Sequence, residues 1–293
     1  MPADQPARDD VSLLALRYAA AVRDGDSDRT TARLYRFNTV PRTPAHVRLL
    51  GDPVAARQLL IAAAGLDRRG ASGGFTLTTA QANGWLYWRS SSGPRSGALR
   101  THGADHSPAI RKLYVTAKLD HLPLALRAVF QAAHGADVTV VKFGADYVNL
   151  RRPDRIVLYT RGREHAEQVE AGLRSALDGV PADALPFAER ISAAVFTGLD
   201  PPASSVPARA EGHAAPPAAS PAEGPAQAQS AVAAGTSWRG WLCRSVAQAL
   251  DRAPHDSAEL AVAGAIQRCR QLGLDPATWA VDDCFFAELS GAA

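Results

Sequence analysis

Lys112, Lys118 and Lys142 are the only lysines among 32 basic residues of a 293-residue chain, and they fall within 31 consecutive positions. Every other long basic side chain is arginine, which stays charged at any accessible pH and cannot act as a base. A lysine can lose its proton when burial and neighbouring cations lower its pKa. A cluster of amines in an arginine-rich chain is therefore what proton abstraction next to an anion would need. Drift towards arginine that left three survivors gives the same count.

The runs that carry these lysines read as strands, and side chains alternate along a strand. In RKLYVTAK, Lys112, Tyr114, Thr116 and Lys118 share one face, and Leu113, Val115 and Ala117 share the core face. In VTVVKF, Lys142 lines up with Val138 and Val140; in RIVLYT, Arg155, Val157 and Tyr159 align. If these strands are neighbours, one face gathers amines, a guanidinium and two phenols, and the runs themselves supply no carboxylate. That inventory suits an anion better than a metal, because a phosphate takes arginine in bidentate contact and lysine as a point charge. Solvated charges on an open sheet face are the other reading of the same pattern.

Other candidates carry less. His102, Asp105 and His106 (HGADH) form a short ligand-like run with no third histidine or cysteine nearby. His121 stands between a strand and a helix, as a cap or an acid. Arg151 and Arg152 precede the turn signal Pro153-Asp154, which predicts that they are exposed. There is no phosphate-binding loop, no GxSxG and no dinucleotide fingerprint.

The elements that must hold these residues alternate in type. Val11, Leu14, Tyr18 and Val22 lie at helical spacing within residues 9–24, and a second helix is predicted over 53–64. Phe75–Thr79 and Trp85–Arg89 read as strands around an Asn83-Gly84 turn. The three lysine-region strands follow, with helices over Leu122–Ala133 and Glu164–Leu177. Trp241–Leu250 and Ser257–Gln271 close the chain as helices, stopped at Gly273. The fold class expected is α+β: a central mixed sheet flanked by helices, with a Pro/Ala-rich disordered loop before a C-terminal helical segment. Residues 1–199 would form the core, 200–236 the linker, and 237–293 a helical segment packed on that core, too thin to fold alone.

A net charge of +3, with arginines spread along the chain, gives no case for nucleic acid. The N-terminus lacks an apolar signal segment, and no run is long enough to span a membrane, so a cytoplasmic protein is expected. Cys243, Cys269 and Cys284 are too widely spaced for a metal site and odd in number for a disulfide framework.

Taken in order, KLYV, VVKF and RRPDRIVLY resemble the HopA-type effector family and its relatives, the lyases of class V lanthipeptide and thioamitide pathways, similar in turn to the phosphothreonine lyases of type III secretion systems. The match runs from about Trp85 to Phe196 and resumes over Ser237–Leu250, roughly half the chain. The resemblance implies a carbon–oxygen lyase that needs no cofactor and no metal. It removes the α-proton of a phosphorylated Ser or Thr in a ribosomal precursor peptide and expels phosphate, leaving a dehydroamino acid. A separate kinase would supply the substrate. Lys142 falls on the base, Lys112 on a phosphate-binding lysine, and Arg155 and Tyr159 on a phosphate-binding arginine and its LY neighbour. Tyr114 stands where the family has a catalytic histidine, so a phenol or His121 would be the acid. Leu242 stands where an arginine precedes the final cysteine, so Arg239 or Arg244 would replace it. A lyase-like scaffold that binds a leader peptide or a kinase without catalysis is the alternative implied by those two departures.

Overall fold

The structure, a computed structural model, describes residues 10–50, 52, 54, 58, 61–62, 71–72, 75–81, 84–90, 110–138, 140–200, 237–255 and 257–282. The HGADH run, most of the helix predicted over 53–64, residues 201–236 and Cys284 lie outside them.

Among the described residues, eight strands form one sheet: β1 (Ala71–Ser72), β2 (Phe75–Gln81), β3 (Trp85–Ser90), β4 (Ile110–Val115), β5 (Val140–Gly144), β6 (Ile156–Arg161), β7 (Glu189–Arg190) and β8 (Val195–Leu199), in the order β1-β2-β3-β5-β6-β4-β8-β7. The class is α+β as expected, but the sheet is antiparallel at every pairing rather than mixed. The reason lies in the crossovers. Helix α4 (Leu122–Gly135) joins β4 to β5, and β6 inserts between them; α6 (Gly162–Ala176) joins β6 towards β8, and β4 inserts between those. Strands joined by a helix thus run the same way without pairing. This is the interleaved β-α-β-β-α-β arrangement of ferredoxin-like sheets.

One face of the sheet is covered by α4 and α6. Leu86, Trp88, Leu113, Val115, Val141, Phe143, Ile156 and Leu158 point there and pack with Leu126, Val129 and Phe130 of α4 and Val169 and Leu173 of α6. Trp88 stacks on Phe143 at 4.0 Å, and Phe130 meets both rings edge-on. Each such side chain contributes about 1.5–3 kcal/mol by leaving water. This face holds the strands in register, and register decides what the opposite face presents.

Towards the opposite face stand helices from both ends of the chain: α1 (Val11–Ala21), α2 (Ser27–Arg36), α7 (Trp238–Arg252) and α8 (Ala258–Gln271). Two shorter helices, α3 (Pro44–Leu50) and α5 (Tyr147–Leu150), lie in connections. Leu13, Leu16 and Leu34 pack with Trp238, Leu242, Val246, Leu250 and Ala265 in a second core. Helix α1 buries a different stripe from the one its spacing suggested. Ser12, Leu13, Ala15, Leu16, Ala19 and Ala20 face inward, whereas Leu14, Tyr18 and Val22 are exposed. The alanines explain the choice, because small residues allow helices to approach closely, and this helix is apolar nearly all round.

Two glycines fix how the layers meet. Gly198 on β8 faces Trp238 of α7, and a Cβ there would stand 2.6 Å from the indole Cδ1. Gly84, at φ +73°, opens β3 where a Cβ would strike Asp146, the N-cap of α5. Asn149 of α5 donates to the Gly84 carbonyl at 3.0 Å, which ties down the start of the strand that carries Trp85 and Tyr87.

Candidate active site

Register brings the polar residues of separate strands into two rows. In the first, Tyr87 pairs with Lys142, Lys142 with Val157, Val157 with Tyr114, and Tyr114 with Phe196. In the second, Val140 pairs with Tyr159, Tyr159 with Lys112, and Lys112 with Gly198. Adjacent strands lie about 4.8 Å apart, so Lys142 and Tyr114 stand on the two strands that flank Val157, one strand spacing to either side. Trp85, Tyr87, Tyr114, Val140, Val157, Tyr159 and Phe196 close around the amines as an apolar and aromatic wall.

Lys142 is the most perturbed amine. Its ammonium lies 4.0 Å from the centre of the Trp85 ring and 5.6 Å from that of Tyr87. Burial, and then the Lys112 charge, lower its pKa from 10.5 to about 8. Lys112 is itself buried, 2.6 Å from Asp200 Oδ2 and 5.1 Å from the centre of the Tyr159 ring. Burial and then Asp200 push the Tyr114 phenol well above its ordinary pKa, and burial followed by Tyr87 does the same to Tyr159. Both phenols therefore keep their protons at neutral pH.

Loops and helices complete the cluster. Arg152, in the turn before β6, donates to both carboxylate oxygens of Asp154 at 2.9 and 2.7 Å and to the Tyr35 hydroxyl of α2 at 2.6 Å. Its guanidinium also lies 5.1 Å from the centre of the Trp85 ring. Arg239 of α7 reaches the same carboxylate: its Nη1 is 2.8 Å from Asp154 Oδ2 in ion-pair contact without hydrogen-bond alignment. Arg239 also donates to the Pro186 and Tyr35 carbonyls at 3.2 and 3.1 Å. Burial disfavours the Asp154 charge, but Arg239 and Arg152 outweigh it and hold the carboxyl well below the usual range. With Lys142 protonated, Lys112, Lys142, Arg152 and Arg239 against Asp154 and Asp200 leave two positive charges in excess; with Lys142 neutral, as a base must be, one remains, and the cluster suits an anion in either state.

The structure therefore brings Lys142, Lys112, Tyr114, Tyr159 and Arg239 together, and sets four other sequence candidates apart. Arg155 is fully buried below the start of β6, where it donates to the Ala117 and Arg152 carbonyls at 2.7 and 2.8 Å and pairs with Asp183 at 2.5 Å. Those partners consume its guanidinium in holding loops together. His121 ends the 3-10 turn Leu119–His121 that leads into α4, on the far side of the sheet. Arg244 is exposed on α7. Lys118 lies exposed beyond the end of β4, because the strand stops at Val115. Leu242 is buried in the helical core.

Arg152, Asp154, Asp200, Tyr35, Trp85 and Tyr87 are site residues that the sequence did not single out. Arg152 was expected to be exposed; instead its side chain is 17% accessible, because Asp154 and Tyr35 draw it inward. A usable signal was present: RRPDR sets a carboxylate among arginines immediately before a strand whose face already carried the phenol. Among the described residues no group of histidine, cysteine and carboxylate side chains could hold a metal ion. No described helix is long and apolar enough to cross a membrane.

No family model matches the chain, and no curated protein matches it. Among solved structures, the chain is similar to the effector protein from Pseudomonas syringae pv. tomato strain DC3000, at 14% identity over 92% of this chain and 96% of that one, with a TM-score of 0.49. The effector protein from Pseudomonas syringae pv. syringae strain 61 gives 11% identity over 92% and 97%, with a TM-score of 0.45. The type III effector/phosphothreonine lyase OspF from Shigella flexneri gives 13% identity over 43% of this chain and 70% of that one, with a TM-score of 0.33. At scores below 0.5 a superposition does not by itself assign an activity, and the chemistry rests on the cluster described above.

Proposed function

We propose that the chain is a carbon–oxygen lyase that eliminates phosphate from phosphothreonine or phosphoserine. The observation that carries this reading is Lys142: an amine over Trp85, beside a second lysine, with its pKa lowered to about 8. A base of that strength keeps roughly a tenth of its population neutral at pH 7 and gains most of the rest within two pH units. Lys112 and Arg152 are the cations that a phosphate dianion would meet, and Arg239, whose guanidinium is held by Asp154 and by the Pro186 and Tyr35 carbonyls, fixes Asp154 beside them. The Lys142 amine takes the α-proton, the released electron pair forms the Cα=Cβ bond, and the Cβ–O bond breaks. Phosphate leaves with the electron pair of the broken Cβ–O bond, and the Tyr114 phenol supplies its proton where one is needed. Cations held before the substrate arrives stabilise the charge that develops on phosphate and carbonyl. Val157, between base and acid, is the floor over which the reacting bond would lie.

The substrate we propose is a ribosomal precursor peptide phosphorylated by a separate kinase, which the sequence motifs support. Residues 1–199 and 237–293 act as one unit in this reading, since Arg239 completes the site. Lys142→Ala is expected to lower phosphate elimination by about a thousandfold or more, within the range that loss of a general base produces, with the circular dichroism spectrum unchanged. An undiminished rate in that variant would remove Lys142 from the mechanism.

A further inference from the structure

The carboxylate of Asp200 occupies the amine that a phosphate would take. Its Oδ2 lies 2.6 Å from Lys112 Nζ, and both side chains are largely shielded, at 8% and 20% accessibility. Its Oδ1 accepts from the backbone N–H of Trp238 at 3.0 Å, the first residue of α7. The Asp200 N–H in turn donates to the Ile110 carbonyl at 3.1 Å, so the residue is anchored to β4 beside the site. One carboxylate thus bridges a site lysine and the helix that delivers Arg239.

Asp154 differs from it. That carboxylate is held by two guanidiniums, Arg152 and Arg239, and is nearly inaccessible. Asp200 holds one amine through one oxygen and keeps a route to water. A dianion that enters the cluster can replace it on Lys112, whereas Asp154 has nowhere to go.

We propose that Asp200 is an internal stand-in for phosphate: it neutralises Lys112 in the empty site and is displaced from the amine when the phosphorylated substrate binds. The inference rests on the cluster being a phosphate site. Asp200 is a positioning residue, not a catalytic one. Its displacement lowers the affinity for any phosphate ligand, and it gives an advantage to ligands that bring two negative charges over those that bring one. Because the second oxygen holds the first N–H of α7, arrival of phosphate is also felt at the helix that carries Arg239.

The test is calorimetric titration of the full chain with inorganic phosphate, using wild type, Asp200→Asn and Asp200→Ser. Asparagine can still accept from the Trp238 N–H, and the Ser237 hydroxyl, which accepts from the Gly240 N–H, caps α7 in both variants. Loss of the Lys112 counter-charge lowers the melting temperature of both, and a retained cooperative transition shows that the fold survives. Loss of a charged hydrogen bond that must otherwise be broken tightens phosphate binding by about ten- to a hundredfold, and KM for a phosphopeptide should fall with it. A residue that merely positions Lys112 gives the opposite sign. Equal or weaker phosphate binding by both variants, with wild type still eliminating phosphate, overturns the inference alone. No phosphate binding and no elimination by any of the three proteins overturns the phosphate-site reading as well.

Discussion

At the scale of single residues, Lys142 is defined by what surrounds it rather than by its strand position. Burial disfavours its charge and Lys112 adds to the effect, and together they outweigh the attraction of the Trp85 and Tyr87 ring faces for the ammonium. The sign of the resulting pH dependence follows directly. The neutral amine is the base, so kcat/KM for a phosphopeptide should rise about tenfold per pH unit at low pH and level off near the Lys142 pKa of about 8. A rate that is flat between pH 6 and 9 contradicts the assignment. The amine face was legible from alternation alone, since Lys112, Tyr114, Lys142 and Tyr159 all fall where period two puts them. Arg155 shares that period but not the site, because Asp183 and two carbonyls capture its guanidinium. Periodicity gives the direction of a side chain; it does not say which partner binds its far end.

At the scale of elements, the site depends on α7 and on the turn before β6. Arg152 and Arg239 converge on Asp154, a carboxylate removed from water. Asp154→Asn leaves two buried guanidiniums without a counter-charge, and should cost about 3–5 kcal/mol of stability, measured by denaturant unfolding. Gly198→Ala tests the seating of α7. A methyl 2.6 Å from Trp238 Cδ1 cannot be accommodated without moving the buried indole or the helix that carries it. A loss of about 1–3 kcal/mol is expected, together with a weaker affinity for phosphopeptide as Arg239 shifts; unchanged affinity would show that α7 does not complete the site. Sequence periodicity located most of the helices and strands. It missed β8, where VFTGL carries a threonine and a glycine within five residues, and it missed α2, whose exposed face is densely charged. Those two elements supply Gly198 and Tyr35, so the omissions fell on the site.

At the scale of the whole molecule, residues from both ends of the chain share one core. Leu13, Leu16 and Leu34 pack with Trp238, Leu242, Val246 and Leu250. Truncation after residue 199 would strip that core and expose the Lys112 and Lys142 face, so the fragment should lose cooperative unfolding and bind hydrophobic dyes. A sharp thermal transition in the fragment would show that the sheet layer is self-sufficient. The expected α+β class is realised, but the mixed sheet is not, because each helical crossover leaves room for an antiparallel strand. Pairing order is a long-range property and leaves no local mark on the sequence. The same interleaving sets β5, β6 and β4 side by side, and so places the proposed base and acid on either side of Val157.

The most direct measurement is the mass of a phosphothreonine peptide before and after incubation with the purified full chain, with Lys142→Ala alongside. Elimination by Lys142 predicts loss of one phosphoric acid by wild type and none by the variant. An unchanged mass, or a product that keeps the threonine hydroxyl as hydrolysis would leave it, contradicts the assignment.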